Sequence, residues 1–217
     1  MKFEDALKFL NGIPHIQTSS AKVLYNFVLN GDIKYILELG FAHGVSTCYM
    51  AAALEEKGVG LITTIDNQAA KRRKPDIFEL LRITNLEKYV NPIFADTSYN
   101  WELMKMIDKQ TEHNKCEPIF NFCFIDGAHS WEVDGLAFFL SEKLLKPGGW
   151  ILFDDLNWSY SSSPTLKDTD FVKKMPDDQK YTPQITKVFF LLAKQHPNFE
   201  NFRIDKEWGW AQKSKGR

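Results

Sequence analysis

Two groups of residues in this sequence carry the means to do chemistry. The first is Asp126-Gly127-Ala128-His129, at the end of one apolar run, with Asp154-Asp155 at the end of another. If those runs are neighbouring strands, three carboxylates and an imidazole meet at one place. Carboxylates held that close repel one another unless protons or a cation neutralise them. An oxygen-only ligand set without cysteine suits a hard ion such as Mg2+, with Ca2+ and Mn2+ also compatible. Without that convergence, Asp154 and Asp155 merely end a strand and cap a turn, and His129 is a solvated histidine at a helix start.

The second group is the loop Glu38-Leu39-Gly40-Phe41-Ala42-His43-Gly44-Val45-Ser46. Gly40 can take the positive φ of a sharp strand-to-helix turn. Gly44 has no Cβ, which would let a ligand approach the backbone, and Ser46 offers a hydroxyl and a helix-start N–H. A dinucleotide loop seats its pyrophosphate with three glycines, and here Ala42 replaces the middle one. The carboxylate of Glu38 suits a cationic or amino-bearing ligand better than a pyrophosphate. Asp66, followed by Asn67, ends the next apolar run, where an acid can accept both hydroxyls of a ribose. Taken singly, these are an ordinary strand-to-helix turn and a helix-capping acid; together they mark the carboxyl ends of parallel strands, where open α/β sheets bind ligands.

The elements that must position these groups alternate as βαβ units do. Strands are predicted over residues 35–39, 61–66, 90–95, 120–126, 150–153, 199–204 and 209–212. The third is weaker, because Pro92 favours an edge. Helices are predicted near residues 7–10, 18–28, 45–56, 76–83, 100–109, 131–145 and 184–195. Thr18, Ser19 and Ser20 are N-cap candidates for the second helix, and Asn30-Gly31 is its stop. Lys146-Pro147-Gly148-Gly149 reads as a tight turn. Residues 157–183 form a long irregular stretch, read as a substrate lid. The expected fold is therefore α/β: a doubly wound, mostly parallel seven-stranded sheet in one domain over residues 1–217, with N-terminal helices in residues 1–30.

Composition narrows the classes. The chain has 217 residues and a net charge of −1, without the basic surplus that phosphate backbones call for, so no nucleic-acid partner is expected. The short basic cluster, residues 71–74, reads as a solvated loop. Three cysteines without a CxxC pair argue against structural zinc and a disulfide framework, and Cys48 and Cys123 lie in apolar runs as core residues. No apolar run nears the ~18 residues of a membrane span, and the N-terminus carries acids, so a cytoplasmic protein without a membrane partner is expected. Trp208 and Trp210 are expected in the core or an interface, and His15, His113 and His196 on the surface. Homo-oligomer formation stays open.

The run ILELGFAHGVST resembles the first motif of the class I S-adenosylmethionine-dependent methyltransferases. Asp66 then resembles the acid that holds the cofactor ribose, although its distance from Glu38 exceeds the ~20 residues of the dinucleotide pattern. Ala95-Asp96-Thr97-Ser98 resembles the loop contacting the adenine, and Lys146-Pro147-Gly148-Gly149 is similar to the turn before the fifth strand. The similarity spans residues 18–156. Asp126-Gly127-Ala128-His129-Ser130-Trp131-Glu132 resembles the metal-dependent small-molecule O-methyltransferases, in the branch of macrolide-sugar methyltransferases and cephalosporin-hydroxylase-like proteins.

This resemblance implies a Rossmann-like methyltransferase fold and S-adenosylmethionine as cofactor. It implies cofactor contacts from Glu38, Gly40, Gly44, Ser46, Asp66, Asn67, Asp96 and Thr97. It further implies Mg2+ held by Asp126, Asp154 and Asp155, with His129 and Asp126 as the catalytic pair and His129 as base. The branch often has Glu-Asp where this chain has Asp154-Asp155. The expected activity is methylation of a small hydroxylated molecule of sugar or natural-product type. A methyltransferase-like binding protein without catalysis and an NAD oxidoreductase are the alternatives.

Overall fold

The computed structural model describes residues 1–216. Seven strands form one sheet: β1 (Tyr35–Leu39), β2 (Leu61–Asn67), β3 (Val90–Ala95), β6 (Phe120–Ile125), β7 (Leu145–Phe153), β8 (Phe199–Asp205) and β9 (Trp208–Lys213). A two-stranded hairpin, β4 (Thr111–Glu112) and β5 (Lys115–Cys116), stands apart and has no counterpart in the sequence reading. The sheet order is β3-β2-β1-β6-β7-β9-β8. All pairings are parallel from β3 to β7, and β9 runs antiparallel to both β7 and β8. The order reverses direction between β1 and β6, which opens the crevice where such sheets bind ligands. β3 is an edge strand, as Pro92 requires.

Helices cover both faces. α1 (Phe3–Leu10), α2 (Thr18–Asn30), α3 (Val45–Lys57) and α4 (Ile77–Thr84) build one apolar layer with Ile36, Ile62, Phe122, Phe124, Leu152 and Trp210 from the sheet. α5 (Tyr99–Lys109), α6 (Trp131–Leu144), and the later α7 (Asp170–Lys173), α8 (Asp177–Tyr181) and α9 (Gln184–Lys187) follow. The other face of the sheet, with Leu37, Leu39, Cys123, Ile125, Ile151 and Phe153, packs on residues of α5, α6 and α9. Neighbours such as Ile36 and Leu37 enter opposite layers because side chains alternate along a strand. Cys48 and Cys123 are buried and free, as expected of small core residues. Among the described residues no helix is long and apolar enough to cross a membrane.

Several local expectations are corrected. α2 is preceded by Gln17 at its N-cap, with no side-chain capping bond, so Thr18, Ser19 and Ser20 lie inside the first turn rather than capping it. The turn at residues 146–149 is absorbed into β7, where Gly148 takes φ +80° and the pairing with β6 shifts register. The last helix is not uniform: after α9 the chain widens into a π-helix over Val188–Ala193. Residues 157–183 are not structureless; they hold a 3-10 turn at Tyr160–Ser162, α7 and α8. His196 packs edge-on against Phe138 and Phe199, half-buried rather than on the surface, whereas His113 is exposed. Trp208 and Trp210 are buried in the core layer that faces α2 and α3.

Candidate active site

The strand ends set the site. Gly40 N–H donates to Ile65 O at 2.8 Å, Asp126 N–H to Leu39 O at 2.9 Å, and Asp154 N–H to Ile125 O at 3.0 Å. These bonds continue the ladder one step beyond β2, β1, β6 and β7, so the glycine loop and all three acids leave the sheet side by side. Gly40 has φ +88°, and a Cβ there would strike the Asp126 carbonyl oxygen at 1.9 Å. Only glycine lets the two loops meet this closely.

A cleft of about 720 Å³ opens over these strand ends, within the usual size of small-molecule sites. Gly40, Ser46, Asp66, Asn67 and Thr97 line it, as do Asp126, His129, Asp154 and Asp155. Asp66 Oδ2 accepts from Phe41 N–H (3.1 Å) and Ala42 N–H (2.8 Å), and its Oδ1 accepts from Asn67 N–H (2.6 Å). These bonds tie the acid to the glycine loop and leave further lone pairs for a ligand hydroxyl. Asn67 Oδ1 caps the following 3-10 turn through Ala69 N–H.

Three residues read as cofactor contacts lie elsewhere. Glu38 is fully buried, and its carboxylate accepts hydroxyls from Ser46, Thr47 and Thr64. Desolvation pushes its pKa up to about 7, against the pull of those three bonds. It braces the root of α3 and does not reach the cleft. Gly44 is needed for φ +92° and because a Cβ would strike Ile77 Cγ1 at 2.6 Å, so its bareness serves packing on α4 rather than a ligand. Asp96 is exposed, accepts from Gln68 Nε2 at 2.8 Å, and stands outside the cleft lining.

The acid group converges. Among the described residues, Asp126, His129 and Asp155 offer donor atoms that all lie within 4.8 Å of one another. His129 Nε2 is 3.6 Å from Asp126 Oδ1, and Nδ1 is 3.4 Å from Asp155 Oδ2. That Nδ1 is buried and has no hydrogen-bond partner. Asp154 adjoins this cluster, with its Oδ1 accepting from Trp208 Nε1 (2.7 Å) and Asp155 N–H (2.7 Å). Burial first, then Asp154 and Asp155, raise Asp126 well above the ordinary carboxylate range; burial and Asp155 push Asp154 up to about 7. The donor set fits a divalent cation: close carboxylates whose mutual repulsion a cation would relieve.

Backbone strain gathers at the same place. His15, Ala42, His129 and Asp155 all line the cleft with φ between +48° and +88°, a region that side chains other than glycine seldom adopt. Such conformations persist where surrounding structure over-determines them, and they cluster at functional sites.

Several further residues line the cleft. His15 and Ile16 come from the α1–α2 connection, Arg73 from the basic loop, Tyr99 from α5, and Ser163, Pro164, Thr165 and Leu166 from the 157–183 segment. Trp158 lies against His129 with ring centroids 5.0 Å apart. Trp208 carried no signal at all, since its partner Asp154 is 54 residues away.

Residues 37–156, more than half of the chain, match the model of a family described as "Methyltransferase domain". The chain belongs to the methyltransferase domain family. Its class I, S-adenosylmethionine-dependent type follows from that match together with the sheet order and the glycine loop. No curated protein matches it in sequence. Solved structures share its fold. The O-methyltransferase of Bacillus cereus in complex with S-adenosylhomocysteine aligns over 98% of this chain and 90% of its own, with TM-score 0.64 and 18% identity. The O-methyltransferase TomG of Streptomyces achromogenes, bound to S-adenosylmethionine and involved in tomaymycin synthesis, aligns over 98% and 89%, with TM-score 0.63 and 15% identity. The methyltransferase MycE of the mycinamycin pathway, in complex with Mg and S-adenosylhomocysteine, aligns over 99% of this chain and 54% of its own, with TM-score 0.57 and 15% identity. For this methyltransferase the oxidoreductase alternative is set aside.

Proposed function

We propose that this methyltransferase transfers the methyl group of S-adenosylmethionine to an oxygen of a small hydroxylated molecule, with a divalent cation, best Mg2+, at Asp126, Asp154 and Asp155. The observation that carries the reading is the meeting, in one cleft, of the Gly40–Asp66 loop pair with the Asp126–His129–Asp155 cluster. Gly40, Ser46, Asp66, Asn67 and Thr97 are the proposed nucleoside-side contacts. MycE, whose complex contains both Mg and S-adenosylhomocysteine, supplies a precedent in the same fold.

The chemistry accounts for the residues. Methyl transfer from a sulfonium is an in-line displacement, so donor and acceptor must be held in register. A cation held by Asp126, Asp154 and Asp155 would lower the pKa of the acceptor hydroxyl and orient it. His129 takes the hydroxyl proton on its imidazole, and the flanking Asp126 and Asp155 stabilise the imidazolium that forms. Trp158 shields one side of that imidazole from water.

The acceptor side is a second chamber of about 600 Å³, which shares His15, Ile16, Asp154 and Asp155 with the first. Ser19, Ser20, Asp205, Lys206 and Glu207 line it with Asp154 and Asp155, and the excess of acids over the one lysine favours neutral or cationic polyhydroxylated acceptors over anionic ones. The segment 157–183, through its residues Ser163 to Leu166, is the proposed lid over the first chamber.

Methyl transfer from labelled S-adenosylmethionine to a panel of neutral glycosides, amino sugars and catechols tests the reading. His129→Ala is expected to lower turnover at least about tenfold, as loss of a general base does, and EDTA to abolish it with recovery on Mg2+. Full turnover in EDTA would reject the cation, and unchanged turnover in His129→Ala would remove the base.

A further inference from the structure

One buried carboxylate has no part in the reaction described above. Asp134, on α6, is fully buried. Its Oδ1 accepts from the Tyr99 hydroxyl on α5, and its Oδ2 accepts from Ser130 N–H at 2.9 Å. The Tyr99 oxygen in turn accepts from Ala128 N–H at 3.2 Å. The two amides on either side of His129 are thus both held by one tyrosine–aspartate pair. The same tyrosine ring fills the space beside Gly127, where a Cβ would meet its Cε1 at 2.6 Å. Asn100 Nδ2, next to Tyr99, donates to Val133 O at 2.9 Å and ties α5 to the first turn of α6.

This arrangement is costly unless something depends on it. A buried carboxylate loses its hydration, and burial does raise the Asp134 pKa. A helix start needs no such acid, because Ser130 already caps α6 by accepting from Val133 N–H. What the pair holds is His129, at φ +55°, a left-handed conformation that residues other than glycine seldom adopt. In that conformation the imidazole sits between Asp126 and Asp155.

We infer that Tyr99 and Asp134 are positioning residues: they clamp the Ala128–Ser130 backbone so that His129 is fixed in its left-handed conformation, with its imidazole aimed into the acid cluster. The inference rests on the reading of His129 as the proton acceptor, but its geometry can be tested without any methyl acceptor. Tyr99→Phe keeps the ring against Gly127 and removes only the hydroxyl. Asp134→Asn keeps one acceptor for Ser130 N–H and weakens the tyrosine link.

The test is the NMR spectrum of the full chain labelled at histidine, which carries five imidazoles; His129→Ala identifies the signal of interest. At fixed pH, the His129 signal is expected to shift or broaden in Tyr99→Phe, and less in Asp134→Asn, while those of His113 and His196 stay in place. With an acceptor in hand, kcat in Tyr99→Phe falls at least about tenfold, the weight of a misplaced general base, while KM for S-adenosylmethionine is kept. A His129 signal identical to wild type in both folded variants would overturn the clamp, as would a lower Tm with no movement of that signal. Should Tyr99→Phe not fold, Asp134→Asn alone carries the same two outcomes. A moved signal in a protein that methylates nothing would leave the clamp standing and reject the proposed reaction.

Discussion

Glu38 shows what a single side chain contributes here. It stands at a strand end beside the glycine loop, where a carboxylate reads as a ligand for an amino group. Strand alternation decides otherwise: Leu37 and Leu39 face one layer, and Glu38 with Ile36 faces the other, beneath α3. There it meets three hydroxyls and no water. Because its folded pKa, about 7, exceeds the ordinary 4.5, the folded state keeps a proton that the unfolded chain has released between those values. Its favourable contribution is complete below pH 4.5 and is lost as pH rises through 7. Glu38→Gln lacks that loss. The variant is expected to gain on wild type by on the order of 3 kcal/mol between pH 4.5 and pH 8, read as a Tm difference that changes steadily across the range. A difference independent of pH would mean that Glu38 is ionised in the folded protein throughout. Asp66 and Asp126 were legible because their positions at strand ends follow from chain order alone. Trp208 was not, because its hydrogen bond to Asp154 depends on β9 folding back antiparallel beside β7.

At the scale of elements, the glycine loop is held from both sides. Below it, Glu38 bonds the first turn of α3; above it, Ile77 at the start of α4 fills the space left by Gly44. α4 itself begins with a capping box: Asp76 Oδ1 accepts from Glu79 N–H at 2.9 Å, and Glu79 Oε2 accepts from Asp76 N–H at 2.9 Å. Asp76→Ala removes half of this box and is expected to lower stability by about 1 kcal/mol in denaturant titration. A change near zero would show that apolar packing of Ile77, Leu80 and Leu81 alone holds the helix. Asp76 and Glu79 carry the sequence signature of such a box three residues apart, and the helix start was read correctly there. At α2 the hydroxyl-rich Thr18-Ser19-Ser20 offered N-cap candidates, yet the chain caps at Gln17. Local propensity yields there to the packing of Ala21, Leu24 and Val28 against the core. The π-helix after α9 left no sequence mark, since its widened winding has the same apolar composition as an α-helix.

At the scale of the molecule, the parallel strands and their order bring the site together. β1 and β6 pair directly, and so do β6 and β7, so the loops that begin at Gly40, Asp126 and Asp154, far apart in sequence, open into one cleft. That topology was readable from the alternation of apolar runs and helices. The contribution of the α1–α2 connection was not, because an irregular segment carries no period from which its place could be inferred, whereas residues 163–166 fall in the long 157–183 stretch read as a lid. The methyltransferase family is shown by the match over residues 37–156; the nucleoside cradle beside the acid cluster is the claim on which the proposed reaction depends. Calorimetric titration of the full chain with S-adenosylhomocysteine, in wild type and in Asp66→Ala, tests it most directly. The account predicts one-to-one binding in wild type and an affinity at least about tenfold weaker in Asp66→Ala, the loss of hydrogen bonds to a charged group. Absence of binding in wild type, or equal affinity in the two proteins, would contradict it.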